Sequence, residues 1–528
     1  MTGPALTGSG LRHRLRRLLG RAEPAAARAS SGIDGARPAP ISSSLLRLSL
    51  TIMLAYGSLA GGLAYWQVVE AQRLTADPRN PLMLAAVRQA PRGRILDVNG
   101  TVLARNVRGS ASDPLRQYPV PEAAPVVGYR SLIFGTSGLE RAYDAQLTGL
   151  RSLRAGDEFF RKFRAQPYDP YSLVLSLDAR FQVAAARALG DRHGAVVAIE
   201  PGSGRVLAMV SSPTYDPNQL VDPERDRRYV ARLRERDDSP LLNRATQGLY
   251  VPGSVFKIVT ASAGLASGAI RPDTTYESQP GEYESGFLIS GFRIRDYPRN
   301  FQTDHPLDFY EATEVSSNIW YAHAGLATGT RNLLESAQRF GFGEPLPFEL
   351  STQPSQVTSG EGTLDGFLDR VELANAAYGQ GQVLVTPLQM ALVAATIAND
   401  GLLMRPKLVD AMHSEGGDIT EVRPETWRQV ISPAEAGIIR EAMQLAVEGE
   451  FGRVLAGRAK VDGVPTAGKS GTAQLGGDQA PHSWFIGFAP ADEPQIAIAV
   501  VVEHGGAGAQ RAVPMAGSLM QRYLELTR

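Results

Sequence analysis

The chain has 528 residues, 43% of them apolar, no cysteine, and equal numbers of basic and acidic side chains, 54 of each. That length suits more than one packed domain, and zero formal charge gives no global field to attract nucleic acid. The lack of cysteine excludes disulfides, thiolate zinc sites and cysteine nucleophiles, and the histidines at 13, 193, 305, 323, 413, 482 and 504 form no H-E-x-x-H or other close pair that would hold a metal.

Residues 1–47 carry eight arginines against Glu23 and Asp34, and the stretch 22–44, rich in Ala, Ser and Pro, reads as a flexible tether. The run Leu48–Val69, LSLTIMLAYGSLAGGLAYWQVV, contains no charge. As a helix it would be about 33 Å long, enough to cross a bilayer. A cleavable signal peptide is the alternative, with Ser58 and Ala60 as small residues at a cleavage site; the long tail and the length of the apolar run favour an uncleaved anchor. The positive-inside rule then keeps the tail in the cytoplasm and puts everything after Val69 outside. The expected organisation is a cytoplasmic basic tail (1–47), one membrane helix (48–69), a small pedestal domain (70–170) and a larger domain (171–528).

In PRGRILDVNGTVLARN, from Pro91, apolar and polar residues alternate on both sides of Asn99-Gly100, which predicts a β-hairpin turning through positive φ angles at that pair. GTSGLERAYDAQLTG (135–149) predicts a glycine-marked loop and then a helix; the charged segment 151–170 leads to a turn near Pro167–Pro170. YSLVLSLDARFQVAAARAL predicts a strand and a helix capped by Asp178, with Phe181, Ala184, Ala185 and Leu189 on its apolar face. Two more hairpins are expected, in GAVVAIEPGSGRVLAMVSSP around Pro201–Gly204 and in WFIGFAP with QIAIAVVVE around Ala491–Pro494. Helices are expected at 257–267, 310–326, 371–378 and 386–399. Strands at both ends of the region with helices between them predict an α/β or α+β domain built on an antiparallel sheet.

Gly463–Ser470 of GVPTAGKSGT matches the phosphate-loop pattern G-x-x-x-x-G-K-[ST], which needs a buried strand before it and a helix after it. RVLAGRAKVDG upstream is too polar for that strand, the glycines and proline of TAQLGGDQAPHSWF oppose the helix, and an extracytoplasmic domain has no ATP pool. Gly463 is then an ordinary turn glycine, and the apolar run ending in Asp178 is a helix cap rather than a metal-binding strand.

Five lysines, at 162, 257, 407, 460 and 469, stand among 49 arginines. An amine can lose its proton when desolvated and act as a base, which a guanidinium cannot. In VPGSVFKIVTASAGL, Pro252-Gly253 ends one segment and an apolar helix follows, placing Ser254 at its start and Lys257 one turn on: a hydroxyl, a base, and helix-end amides for an oxyanion. In isolation S-x-x-K reads more readily as a cap and a surface lysine. EVSSNIWYAHAG holds the chain's one S-x-N triplet, Ser316 and Asn318, a hydroxyl and an amide aimed from a turn. In Lys469-Ser470-Gly471-Thr472, read as the start of an edge strand, the lysine and threonine can hold a carboxylate and the glycine admits a substrate backbone. The three motifs occur once each and in this order, with 62 positions from Ser254 to Ser316 and 151 from Asn318 to Lys469.

With these motifs the sequence resembles the penicillin-binding proteins and serine β-lactamases, and more narrowly the class B penicillin-binding proteins, monofunctional peptidoglycan D,D-transpeptidases. The likeness extends to RGRILDVNGTVLA, GTSGLERAYD, GAVVAIEPGSGRVLAMVSSPTYDPN, SSN, AYGQGQVLVTPLQMA and AGKSGTAQ. It departs at Val255, where the family often has threonine, and in a pedestal shorter than that of many members. It implies a transpeptidase fold with Ser254 as nucleophile on a stem pentapeptide ending in D-Ala-D-Ala and Lys257 as its base. Ser316 would relay protons towards Lys469, Asn318 would hold the donor amide, and Lys469 with Ser470, Gly471, Thr472 and Gln474 would bind substrate, Lys469 and Thr472 taking the terminal carboxylate. The amides of Ser254 and Thr472 would form the oxyanion hole. β-Lactams would acylate Ser254; no metal or organic cofactor is implied, and a SEDS-type glycan polymerase in the membrane is the expected partner. About 100 residues before the larger domain are too few for the glycosyltransferase domain of class A members. Rival readings are a β-lactam-hydrolysing enzyme, which the pedestal disfavours, a β-lactam-sensing receptor, disfavoured by the lack of a cytoplasmic signalling domain, and a catalytically silent membrane scaffold, disfavoured by intact motifs.

Overall fold

The computed structural model describes residues 41–70, 92–108, 114–149, 170–296 and 305–528. The basic tail up to residue 40 and the charged segment 151–169 lie outside the described residues. Near the N-terminus, helix α1 (Ile41–Ala64) runs on through one π-helical turn, Tyr65–Val69. Its apolar window, Ser43–Val69, is 27 residues, about 40 Å at the helical rise and long enough to cross a membrane. The helix begins seven residues before the expected Leu48 and takes in Arg47. Ser49 donates to Leu45 O (2.9 Å) and Thr51 to Arg47 O (2.8 Å), so these hydroxyls are satisfied inside the helix, as a hydrocarbon surround demands. Tyr65 and Trp66 stand at its C-terminal end, where aromatic side chains favour the membrane–water boundary.

The rest of the described chain forms a separate unit with two principal sheets. Its strands are β1 (Ile95–Leu96), β2 (Val102–Arg108), β3 (Pro114–Gln117), β4 (Tyr171–Leu175), β5 (Gly194–Ile199), β6 (Val206–Ser212), β7 (Val409–Ser414), β8 (Ile419–Glu421), β9 (Ala467–Ala473), β10 (His482–Ala489) and β11 (Ile496–Val502). Its main helices are α2 (Ala179–Leu189), α3 (Lys257–Ser267), α4 (Phe309–Glu314), α5 (Asn318–Arg339), α6 (Pro387–Ala398), α7 (Pro433–Glu448) and α8 (Ala512–Thr527).

The central sheet has the order β9-β10-β11-β5-β6 and is antiparallel throughout. Alternate side chains enter different cores. Ala195, Val197 and Ile199 pack with α3 and α6 on one face, while Val196 and Ala198 pack with Phe181 of α2 and Met520 of α8 on the other. Both faces are covered, which is why these strands read in sequence as unbroken apolar runs. The expected α+β architecture around an antiparallel sheet is the one observed.

The second sheet, β8-β7-β4-β1-β2-β3, crosses the expected boundary at 170, since β4 pairs in parallel with β1 and β7 arrives from far along the chain. The β1–β2 hairpin forms as expected, but only Gly100 has positive φ (82°). Asp97 reshapes the turn: its Oδ1 accepts from the amides of Asn99 (2.9 Å) and Thr101 (2.6 Å), and Oδ2 from Ala179 N (2.9 Å). Asn99 thereby stays out of the left-handed region and its side chain reaches Asp178 (3.0 Å), the observed cap of α2. The helix expected at 310–326 is split into α4 and α5 around Ser316. Helices α7 and α8 go beyond the sequence expectation.

The PRGR and GLERAYD motifs meet in a buried ion network. Glu140, fully buried, accepts from Arg92 Nε (2.5 Å) and Arg116 Nε (2.6 Å), and Arg92 also bonds Asp144 (2.7 Å). Burial alone would raise the Glu140 carboxyl, but Arg116 and Arg92 hold it below the usual carboxylate range. Its stabilisation is therefore complete above that range and is lost as pH falls through the depressed value. Glu140→Gln leaves two guanidiniums buried without their anion, and a loss of about 3–5 kcal/mol is expected. Thermal unfolding should show that loss near neutral pH and a narrower gap between wild type and variant in acid.

Candidate active site

Ser254 is held in a tight corner between three segments. Tyr250 exchanges backbone hydrogen bonds with Val385 (3.0 and 2.9 Å), Gly253 turns through φ 58°, and a short 3₁₀ turn, Gly253–Phe256, feeds α3. Gly253 N donates to Gly379 O (2.8 Å). A Cβ on Gly253 would lie 2.7 Å from Thr472 O, and one on Gly379 only 1.9 Å from Gly253 O. The corner closes because neither residue has a side chain. Lys257 follows one turn after Ser254, as expected, and is completely buried.

The S-S-N triplet joins two helices. Ser316 N donates to Thr313 O (3.2 Å) and Ser317 N to Ala312 O (2.9 Å), the paired bonds of a Schellman motif ending α4. Ser316 occupies its left-handed position, φ 59°, where glycine is the ordinary choice. Ser317 immediately caps α5, its Oγ accepting from Trp320 N (3.1 Å), and Asn318 is the first residue of that helix. A run of two serines and an asparagine thus stops one helix, starts the next and turns two polar side chains towards α3.

Lys257 Nζ donates to Ser316 O (2.7 Å), Ser316 Oγ (3.2 Å) and Asn318 Oδ1 (2.8 Å), with the Tyr321 ring centroid 5.3 Å away. Burial pushes the Tyr321 hydroxyl well up, so that ring stays neutral behind the amine. The amide of Asn318 is oriented from both ends, its Nδ2 donating to Arg295 O (3.0 Å).

Lys469–Thr472 lies in β9, at the edge of the central sheet as expected, and is paired on one side with β10, Lys469 opposite Ile486 and Thr472 opposite Ser483. Lys469 is 1% exposed and donates to Ser470 O (3.2 Å). Gly471 is also where the strand packs on the Ser254 corner. A Cβ there would meet Pro252 O (2.9 Å), Trp484 Cβ (2.9 Å) and Val255 Cγ1 (3.0 Å), so its bareness admits the Ser254 corner. Val255, the departure from the family pattern, is a buried part of that contact.

Ser254, Ser316, Asn318, Ser470, Thr472 and Gln474 line one open cleft of about 770 Å³. Lys257 and Lys469 lie buried against its wall, and upstream Gly463 is an exposed turn glycine with φ 78°. Sequence reasoning missed Asp296, Tyr378 and Gln380, which also line the cleft. Asp296 accepts from Ser317 Oγ (2.9 Å) and Ile319 N (3.0 Å), fixing the start of α5. The side chain of Gln380 pairs with both backbone groups of Gln474, at 3.3 and 3.2 Å, so the segment that holds Gly253 also holds the end of β9. The sequence signal for it was the AYGQGQ stretch itself, whose glycines mark close backbone approach.

Residues 194–521 match the penicillin binding protein transpeptidase domain, and residues 92–166 the penicillin binding protein A dimerisation domain. The chain belongs to the class B penicillin-binding proteins. It is 37% identical over 482 residues to the peptidoglycan D,D-transpeptidase PbpA of Mycolicibacterium smegmatis, a match covering 88% of this chain and 94% of the relative. The PbpA of Mycobacterium tuberculosis is 34% identical over 512 residues, covering 92% and 99%. The structure of the penicillin G acyl-enzyme of penicillin-binding protein A from M. tuberculosis superposes with a TM-score of 0.73 at 33% identity, over 83% of this chain and 100% of that one.

Ser316 offers a test that separates strain from chemistry. Ser316→Gly relieves the left-handed backbone and should stabilise the fold by up to about 1 kcal/mol, whereas Ser316→Ala should not. Both delete the hydroxyl bonded to Lys257, and both should slow acylation by penicillin; chemical unfolding and stopped-flow labelling read the two effects separately.

Proposed function

We propose that this penicillin-binding protein is a peptidoglycan D,D-transpeptidase that cross-links stem peptides through an ester on Ser254 and is inhibited when β-lactams form the same kind of ester. The carrying observation is the convergence of Ser254, the Lys257–Ser316–Asn318 contact and the β9 edge in one cleft, in a chain that aligns nearly end to end with D,D-transpeptidases.

Ser254 Oγ attacks the carbonyl carbon of the penultimate D-alanine while Lys257 takes its proton. The amides of Ser254 and Thr472 receive the oxyanion. As the C–N bond breaks, the departing D-alanine nitrogen takes up a proton, relayed by way of Ser316. An amine on a neighbouring stem then attacks the ester; the C–O bond breaks, the new amide forms, and Ser254 regains its proton. Asn318 holds the donor amide, while Lys469, Ser470, Thr472 and Gln474 bind the donor end that carries the terminal carboxylate. Lys257 is suited to act as the base because it is buried and already bonded to the Ser316 hydroxyl.

The protein is anchored by α1, with its arginine-rich tail in the cytoplasm and its cleft outside, a topology supported by the apolar span and the excess of arginine before it. Its partner in the membrane is a SEDS-type polymerase that makes the glycan strands it cross-links.

Full-length protein in detergent should take up a fluorescent penicillin and keep it through denaturing electrophoresis. Ser254→Ala should take up none, and Lys257→Ala should label about 10²–10⁴-fold more slowly. Failure of the wild type to label would sink the reading, and rapid loss of label would mark a hydrolase instead.

A further inference from the structure

The charged lining of the cleft is one-sided. It consists of Arg293, Arg295 and Asp296, all on one short segment joined to Asn318 through the Arg295 carbonyl, whereas the other lining residues, Leu455, Gly476 and Ala507 among them, are uncharged. Asp296 is turned away from them towards the start of α5, where its two oxygens accept from Ser317 Oγ and from the amides of Asn318 and Ile319. Arg293 donates to Ser285 O, and among the described residues neither guanidinium is paired with a carboxylate. Ile294 between them is buried, and Arg293 and Arg295 are exposed.

Arg295 has a defined position relative to the reaction. Its carbonyl accepts from Asn318 Nδ2 (3.0 Å), and in the mechanism above Asn318 holds the amide that joins the acylated D-alanine to the residue before it. The side chain of that preceding residue therefore emerges next to Arg295. Guanidinium is the cation best shaped for a carboxylate, which it can take with two parallel hydrogen bonds.

We propose that Arg295, assisted by Arg293, is a specificity subsite for a second carboxylate on the acyl donor, carried by the side chain of the third stem residue. The inference rests on the transpeptidase reading and names its substrate class: stems whose third residue is a diamino dicarboxylic acid with a free side-chain carboxylate, in preference to lysine, ornithine or the carboxamide form. The subsite is exposed, so its selectivity is modest and weakens as salt rises.

The test uses full-length protein in detergent micelles and two penicillins, benzylpenicillin and α-carboxybenzylpenicillin, which differ by one carboxylate on the acyl side chain. The quantity read is the ratio of their second-order acylation rates, which divides out any general effect of a substitution on the cleft. Arg295→Gln should lower the carboxylated-to-parent ratio about tenfold and Arg295→Glu further, Arg293→Gln should lower it less, and Arg295→Lys, which keeps the charge, should hold most of it. D-Alanine release from stem pentapeptides with diaminopimelate or lysine at position three should shift in the same order. A ratio unchanged in Arg295→Glu, or lost as fully in Arg295→Lys as in Arg295→Gln, overturns the subsite. No acylation of wild type by either penicillin would overturn the transpeptidase reading itself.

Discussion

The close packing of the Ser254 corner against strand β9 is the constraint on which the site depends. Backbone meets backbone there at Gly253 and Thr472, at Gly471 and Pro252, and at Gly379 and Gly253, in each case at a separation that a Cβ would forbid. Two motifs more than 200 positions apart in the chain are thereby set side by side, and the distance between nucleophile and strand is fixed by hard-sphere contact rather than by flexible side chains. Gln380 extends the same lock, since its amide grips the end of β9 while the neighbouring Gly379 grips Gly253. The catalytic corner, β9 and the 375–381 segment are consequently one rigid body, which is what positioning chemistry requires.

A buried amine imposes the next demand. An ammonium taken out of water must be met by acceptors or lose its proton. Lys257 finds a carbonyl, a hydroxyl and an amide oxygen, supplied by two residues two positions apart, Ser316 and Asn318. Bringing those three atoms to one nitrogen needs an abrupt change of chain direction, which the Schellman ending of α4 followed at once by the cap of α5 provides. The left-handed backbone of Ser316 is the local cost: glycine would be easier there but has no hydroxyl to bond the amine.

What the sequence made legible follows the range of the interactions. Local signals worked: Asp178 caps α2, Gly100 turns the first hairpin, and the apolar runs 194–199, 482–489 and 496–502 are strands. The three motifs, each a short segment readable on its own, meet in one cleft. The helix at 310–326 was misjudged as one piece because its apolar periodicity continues across Ser316, and a left-handed serine leaves no mark in composition. Helix α7 did carry a readable signal in Ser432 and Glu435, a capping box with both bonds formed. Asp296 was not legible, and Gln380 only through the glycines beside it: each acts on groups far along the chain that only folding brings near.

The two edges of the central sheet have opposite fates. Next to β6 the chain is bridged to the second sheet. Val206 N donates to Lys407 O and Lys407 N to Gly204 O, both at 2.9 Å, and Arg205 pairs with Asp410 of β7 at 2.7 Å. That edge is tied off. The other edge, β9, carries Ser470 and Thr472 into the cleft and is bordered by the Ser254 corner and Gln380 instead of a further strand of the sheet. An unpaired strand edge is normally a liability for aggregation. Here the bordering segments leave a cleft rather than an open edge. Four strand spacings, about 19 Å, separate the tied edge from the one that borders the cleft. The sheet is thus closed by backbone bonds to the second sheet on one side and opens onto the cleft on the other.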